Sequence, residues 1–182
     1  MPEPYTIRIF VVDGEPDGVK IVDRSNWTGW GIAFPRSAWP EASKRKEFSQ
    51  LGVYILTGPT EDADDDLPTV YVGQADVVRS RIGSHFADPT KDFWDWGYAF
   101  VSKGDELNRA HISWIEHALI DLAHKSGQCR LNNTQHPKNR ISPSGSGWIL
   151  RPSSGTCFAS CLFSVFESSK SLVPSSRPAS RP

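Results

Sequence analysis

The sequence predicts an α+β fold: a small three-stranded antiparallel sheet flanked by helices, preceded by a β-rich N-terminal annex. Three observations predict it. Two short apolar runs, 52–57 and 69–73, carry valine, tyrosine and isoleucine beside glycine and are joined by a polar connection, which is the pattern of a hairpin. An aromatic-rich run over 93–102, with the strand itself near 96–102, supplies the third strand. Two stretches, 76–86 and 105–125, repeat their apolar residues at helical spacing.

Before the hairpin, Tyr5, Ile7, Ile9 and Val11 alternate with Thr6 and Arg8, as in a strand. The turn residues Asp13 to Gly18 come next, then apolar runs at Val19–Val22 and Gly31–Phe34 and an expected helix over 38–49. This stretch, 1–50, holds too few apolar residues for a core of its own and is expected to pack on the central part of the chain. The connection between the two hairpin strands is acidic from Glu61 to Asp66. It lacks the glycine and the distal glutamate of a calcium loop, so a solvated tip is expected. Asp76 is the expected N-cap of the first long helix, whose core stripe is Val78, Ile82 and Phe86; Gly127 ends the second. From residue 141 to 182 the chain is rich in serine and proline, and its last ten residues read as disordered. The expected organisation is an annex over 1–50, a central domain over 51–140 and a tail over 141–182.

A hydrophobic content of 38% with 23% charged residues allows a domain with a core, and a net charge of −1 argues against a chain that holds nucleic acid by overall field alone. The three cysteines are too few and too unevenly placed for a disulfide framework or a paired zinc site. Nothing resembles a signal peptide or a membrane span, so no membrane partner is expected and a cytoplasmic location is the default expectation.

Glu116 is the residue that demands chemistry. On a helical wheel over 107–125 it falls between Ala123 and Ile120, inside the apolar arc, and a carboxylate there needs a cation, a metal or strong donors. A structural ion pair and a metal ligand both satisfy that need. Arg81 and His85 stand one helical turn apart and share a face; one is a fixed cation fitted to phosphate oxygens, the other a proton carrier near neutral pH. Tyr54 and Tyr71 occupy the two hairpin strands, where packing alone accounts for a tyrosine and a proton relay is the functional alternative. Gly52 and Gly73 bracket these strands and let a backbone come close.

In order and spacing, Gly52-Val53-Tyr54, Tyr71-Val72-Gly73, Arg81, His85, Glu116 and the pair Asn132-Asn133 resemble the GIY-YIG nuclease superfamily, over roughly residues 50–137. The annex resembles the leader of some bacterial stand-alone members. The resemblance implies a divalent-metal-dependent phosphodiester hydrolase, with DNA the expected nucleic acid, hence an endonuclease. It implies Tyr54, Tyr71, Arg81, His85, Glu116 and Asn133 (or Asn132) as catalytic residues. Glu116 would hold Mg2+ or Mn2+, Gly73, Gln74 and Arg81 would contact the nucleic acid, and a metal-bound water would be activated with help from a tyrosine or the histidine. Two features depart from the family: Gln74 stands where many relatives carry lysine, and the acidic loop is long. An alternative is a catalytically inactive nucleic-acid-binding or protein-interaction module on the same scaffold, docking through Trp94, Trp96 or Trp114.

Overall fold

The computed structural model describes residues 4–25, 27–60, 67–104 and 107–133. The acidic run 61–66, the tail from 134, and with it Cys157 and Cys161, lie outside the described residues. The fold is α+β, but the sheet has seven strands, not three. In chain order the strands are β1 (Ile7–Val11), β2 (Lys20–Arg24), β3 (Gly29–Pro35), β4 (Gly52–Gly58), β5 (Thr69–Ala75), β6 (Trp96–Ser102) and β7 (Arg130–Leu131). Across the sheet they run β1-β2-β3-β6-β4-β5-β7, antiparallel except for the short β5–β7 pair.

Three of the four extra strands come from the first fifty residues, which extend the sheet instead of packing on it, and the fourth is the short β7 beside β5. β3 pairs with β6 along its whole length, from Gly29↔Ser102 to Pro35↔Trp96. The sequence explains the placement. Every residue of β6 after Trp96 is buried, so this strand is covered on both faces and needs a neighbour on both edges; β4 fills one and β3 the other. The expected helix over 38–49 breaks into a four-residue α1 (Trp39–Ala42) and a 3-10 turn at Lys46–Ser49, which seat Trp39 and Phe48 against Phe34.

Strand alternation divides the core between the two faces. One face carries Val53, Val70, Val72, Tyr98 and Phe100, and α3 (Arg109–Ser126) covers it with Ile112, Ile115, Leu119 and Ile120. The other carries Phe34, Tyr54, Leu56, Ala99 and Val101, and α2 (Val78–Ala87) covers it with Val78 and Ile82. Both of those α2 side chains are fully buried, each worth about 1.5–3 kcal/mol of transfer free energy. Phe86, the third residue of the expected stripe, lies at the surface, as does Leu122 of α3.

The helix ends differ in part from expectation. Val77, not Asp76, caps α2, and it makes no side-chain cap bond. Asp76 instead pairs with Arg109 at the start of α3, with Nε 2.8 Å from Oδ1, so the two helix leads are tied to each other. Asn108 caps α3 by accepting from the His111 amide at 3.1 Å. Gly127 ends that helix at φ 61, a left-handed position that a glycine takes without strain.

Candidate functional site

The register of the hairpin sets the site. Tyr54 on β4 lies opposite Gly73 on β5, and Leu56 lies opposite Tyr71, so both tyrosines project from the face that α2 covers, as diagonal neighbours. Their ring centroids are 6.2 Å apart. Because residue 73 has no side chain, the Tyr54 ring lies across the β5 backbone and reaches α2, where its Oη stands 2.9 Å from His85 Nε2. The Tyr71 ring meets His85 edge-on, with centroids 4.9 Å apart. The i, i+4 spacing of Arg81 and His85 delivers the rest. His85 is buried beneath the tyrosines, while Arg81 is exposed, and its guanidinium acts on both phenol groups.

These contacts set the protonation states. Burial pushes the Tyr54 phenol well above its usual range, with the Tyr71 hydroxyl adding to the effect and Arg81 opposing it. Tyr54 is thus a neutral phenol at ordinary pH. Burial likewise pushes His85 down to about 4, aided by the positive charges of Arg81 and Lys91, with Asp88 opposing. At pH 7 His85 is neutral and can accept a proton. Its burial also makes folding depend on pH. The folded-state value lies below the ordinary 6.5, so the unfolded chain takes up the proton first as pH falls. Folding stability should drop between pH 6.5 and about 4, by up to about 3 kcal/mol from this residue. Urea unfolding of His85→Gln across that window should lack this part of the slope; an identical slope in both proteins would show that His85 does not titrate below its ordinary value.

Gln74 and Glu116 stand on the other face of the sheet, at the same end of β5. Gln74 Nε2 donates to Glu116 Oε2 at 2.8 Å. Glu116 is half-buried between Ile112 and Ile120, as the helical wheel predicts, and burial raises its carboxyl above the ordinary glutamate value. The Gln74 hydrogen bond and the charges of Arg81 and His117 only partly offset that rise. Arg81 therefore acts on groups of both faces, and the site wraps the β5 edge between α2 and α3.

The two asparagines have different tasks. Asn133 closes that edge like a strand residue: its Oδ1 accepts from the Val72 amide at 3.0 Å and its Nδ2 donates to the Val72 carbonyl at 2.7 Å. Its side chain is committed to backbone. Asn132 accepts from Lys91 Nζ, and that ammonium lies 4.3 Å from the Tyr71 ring centroid. Lys91 is the residue that sequence reasoning missed. The Asp88-Pro89-Thr90 turn signal, which folds the chain back just after α2, was the available clue. The tryptophans of the docking alternative are inward: Trp94 is fully buried, and Trp96 and Trp114 are partly covered by the core.

Among the described residues no three His, Cys, Asp or Glu side chains gather as a metal cluster. The donor set fits a magnesium-type ion nonetheless. Such an ion takes one or two carboxylates and fills its shell with water and phosphate oxygens. Glu116 offers a carboxylate whose charge is undercompensated in its half-buried position, with Gln74 its only direct hydrogen-bond partner among the described residues. No helix among the described residues is long and apolar enough to cross a membrane. No protein-family model matches the chain, and comparison with curated proteins and with solved structures yields no match.

Proposed function

We propose that the chain is a cytoplasmic, divalent-metal-dependent phosphodiester hydrolase of the GIY-YIG kind, a DNA endonuclease. The observation that carries this reading is the convergence on one edge of β5 of a solvent-facing arginine, a neutral histidine hydrogen-bonded to a tyrosine, and a half-buried carboxylate. A phosphodiester needs these three functions: a fixed positive charge for its oxygens, a proton acceptor for the attacking water, and a site for a cation.

Arg81 binds the scissile phosphate and stabilises the charge that grows on it. His85 is the proton acceptor. Tyr54, with its hydroxyl engaged on the imidazole, is a positioning residue that holds the His85 ring through the 2.9 Å hydrogen bond. Tyr71, half-exposed beside Arg81, presents its hydroxyl to the water and the phosphate. A divalent ion held by Glu116 would supply Lewis-acid polarisation of the phosphate and activation of water. Gln74 orients Glu116 through its hydrogen bond, at the position where many GIY-YIG nucleases carry lysine.

The same Gln74–Glu116 hydrogen bond favours a second reading, a binding module whose carboxylate is tied up by an amide. Cleavage of supercoiled, branched, flapped and single-stranded DNA with Mg2+ or Mn2+ separates the two. The enzyme reading expects cleavage of at least one substrate that EDTA stops and that Arg81→Ala reduces by about 10²–10³-fold. DNA binding that persists in EDTA, with no cleavage under any metal, would establish the module instead.

A further inference from the structure

Several cations of this protein lean on carboxylates: Arg36 on Asp92, Arg45 on Glu47, Arg109 on Asp76. Arg81 and Lys91 do not. Among the described residues neither has a carboxylate within ion-pair distance. Asp88, the acid nearest Lys91 in the chain apart from its direct neighbour Asp92, is spent on its own turn, where it accepts from the Thr90 amide at 2.9 Å and from the Thr90 hydroxyl at 2.8 Å. Asp92 is taken by Arg36. The Lys91 ammonium is held by the neutral Asn132 side chain over the face of Tyr71, and Asn132 is itself fixed by its amide, 2.8 Å from the Val70 carbonyl.

Two cations thus approach the same tyrosine from different elements, and among the described residues no carboxylate is in ion-pair contact with either, Asp88 and Glu116 acting on them only at longer range. Burial lowers the Lys91 ammonium below its ordinary value, Asp88 opposes that, and Arg81 adds to it. Like charges drawn together and partly desolvated are costly in the free protein and are relieved by a bridging anion. In a chain of net charge −1 this convergence is local, not a by-product of a basic surface.

We propose that Lys91 is a second phosphate-binding group, which takes the phosphate next to the one Arg81 holds. The substrate class is then a polynucleotide backbone with at least two consecutive phosphates, not a mononucleotide or a phosphomonoester. This rests on the phosphodiesterase reading above and adds to it the extent of backbone that the site grips.

Salt titration of binding to a 16-base-pair DNA duplex, with calcium in place of magnesium, tests it. Lys91→Met keeps an aliphatic stem on the Tyr71 ring and removes the charge. It should lower the slope of log affinity against log salt by about 0.9, the loss of one phosphate contact. Lys91→Gln should do the same, and Lys91→Arg should restore the slope. A dinucleoside monophosphate, with a single phosphate, should compete equally against wild type and Lys91→Met. An unchanged slope in a wild type and variants that all bind duplex would overturn the role of Lys91 and leave the phosphodiesterase reading standing. If the duplex does not bind, the titration runs on whichever of the branched, flapped or single-stranded DNAs does; a wild type that binds none of them would overturn both.

Discussion

Glu116→Gln should cut metal-dependent cleavage by about 10²–10³-fold and at the same time leave the protein somewhat more stable. The two effects have one cause. Glu116 carries its charge in a half-buried position where burial raises its carboxyl above the ordinary 4.5. The folded state therefore holds that carboxylate less comfortably than the unfolded chain does, and the penalty is present at pH 7, above the ordinary glutamate range. Glutamine has the same shape, keeps an oxygen for the Gln74 donor, and carries no charge to desolvate. It also cannot hold a divalent ion in competition with water. The gain in melting temperature should shrink as pH falls through the raised folded-state value and be gone below about 4.5, where the wild-type residue is neutral in both states as well. Full cleavage activity in the variant would remove Glu116 from the chemistry, and a loss of stability at pH 7 would identify it as a structural ion-pair partner.

Glu116 also shows what can be read from the chain alone. A single helix obeys one period, so a wheel places its residues without knowledge of the partner surface, and Glu116 indeed stands between Ile112 and Ile120 at the edge of a buried stripe. The same local logic places His85 one turn beyond Arg81 and sets α3 to end at Gly127. Long-range pairing is not legible in this way. Nothing local in Gly29–Pro35 says that it will pair with Trp96–Ser102, some seventy residues on, so the sequence predicts three strands in the sheet where seven form. Asp76 has the chemistry of a cap, but Arg109, distant in sequence, offers a bidentate partner that a helix amide cannot match. Lys91 is hard to see for a similar reason: the turn signal before it says only that the chain folds back, and its meaning comes from Tyr71 and Asn132, which the fold brings to it. The two asparagines can be told apart only once the β5 edge is known, because one of them completes that edge.

The second large effect is expected from the smallest change, Gly73→Ala. A Cβ at position 73 would collide with the Tyr54 hydroxyl oxygen and would stand 2.5 Å from Cζ of the same ring. The ring cannot step aside. It is fully buried, it packs against both Tyr71 and His85, and its hydroxyl is 2.9 Å from the imidazole. Overpacking of this kind costs about 1–3 kcal/mol, which unfolding in urea would read as a lower midpoint. Cleavage should fall further than stability does, by about 10²-fold, because displacing the phenol releases the His85 ring from its orientation, and small misplacements of catalytic groups have effects of that size. A double-mutant cycle isolates the cause. In a Tyr54→Leu background the shorter side chain leaves room for the new methyl, so Gly73→Ala should cost much less stability there than in the wild type. Equal costs in the two backgrounds would mean that the glycine is needed for the β5 backbone itself, and that the tyrosine lying across it is a bystander.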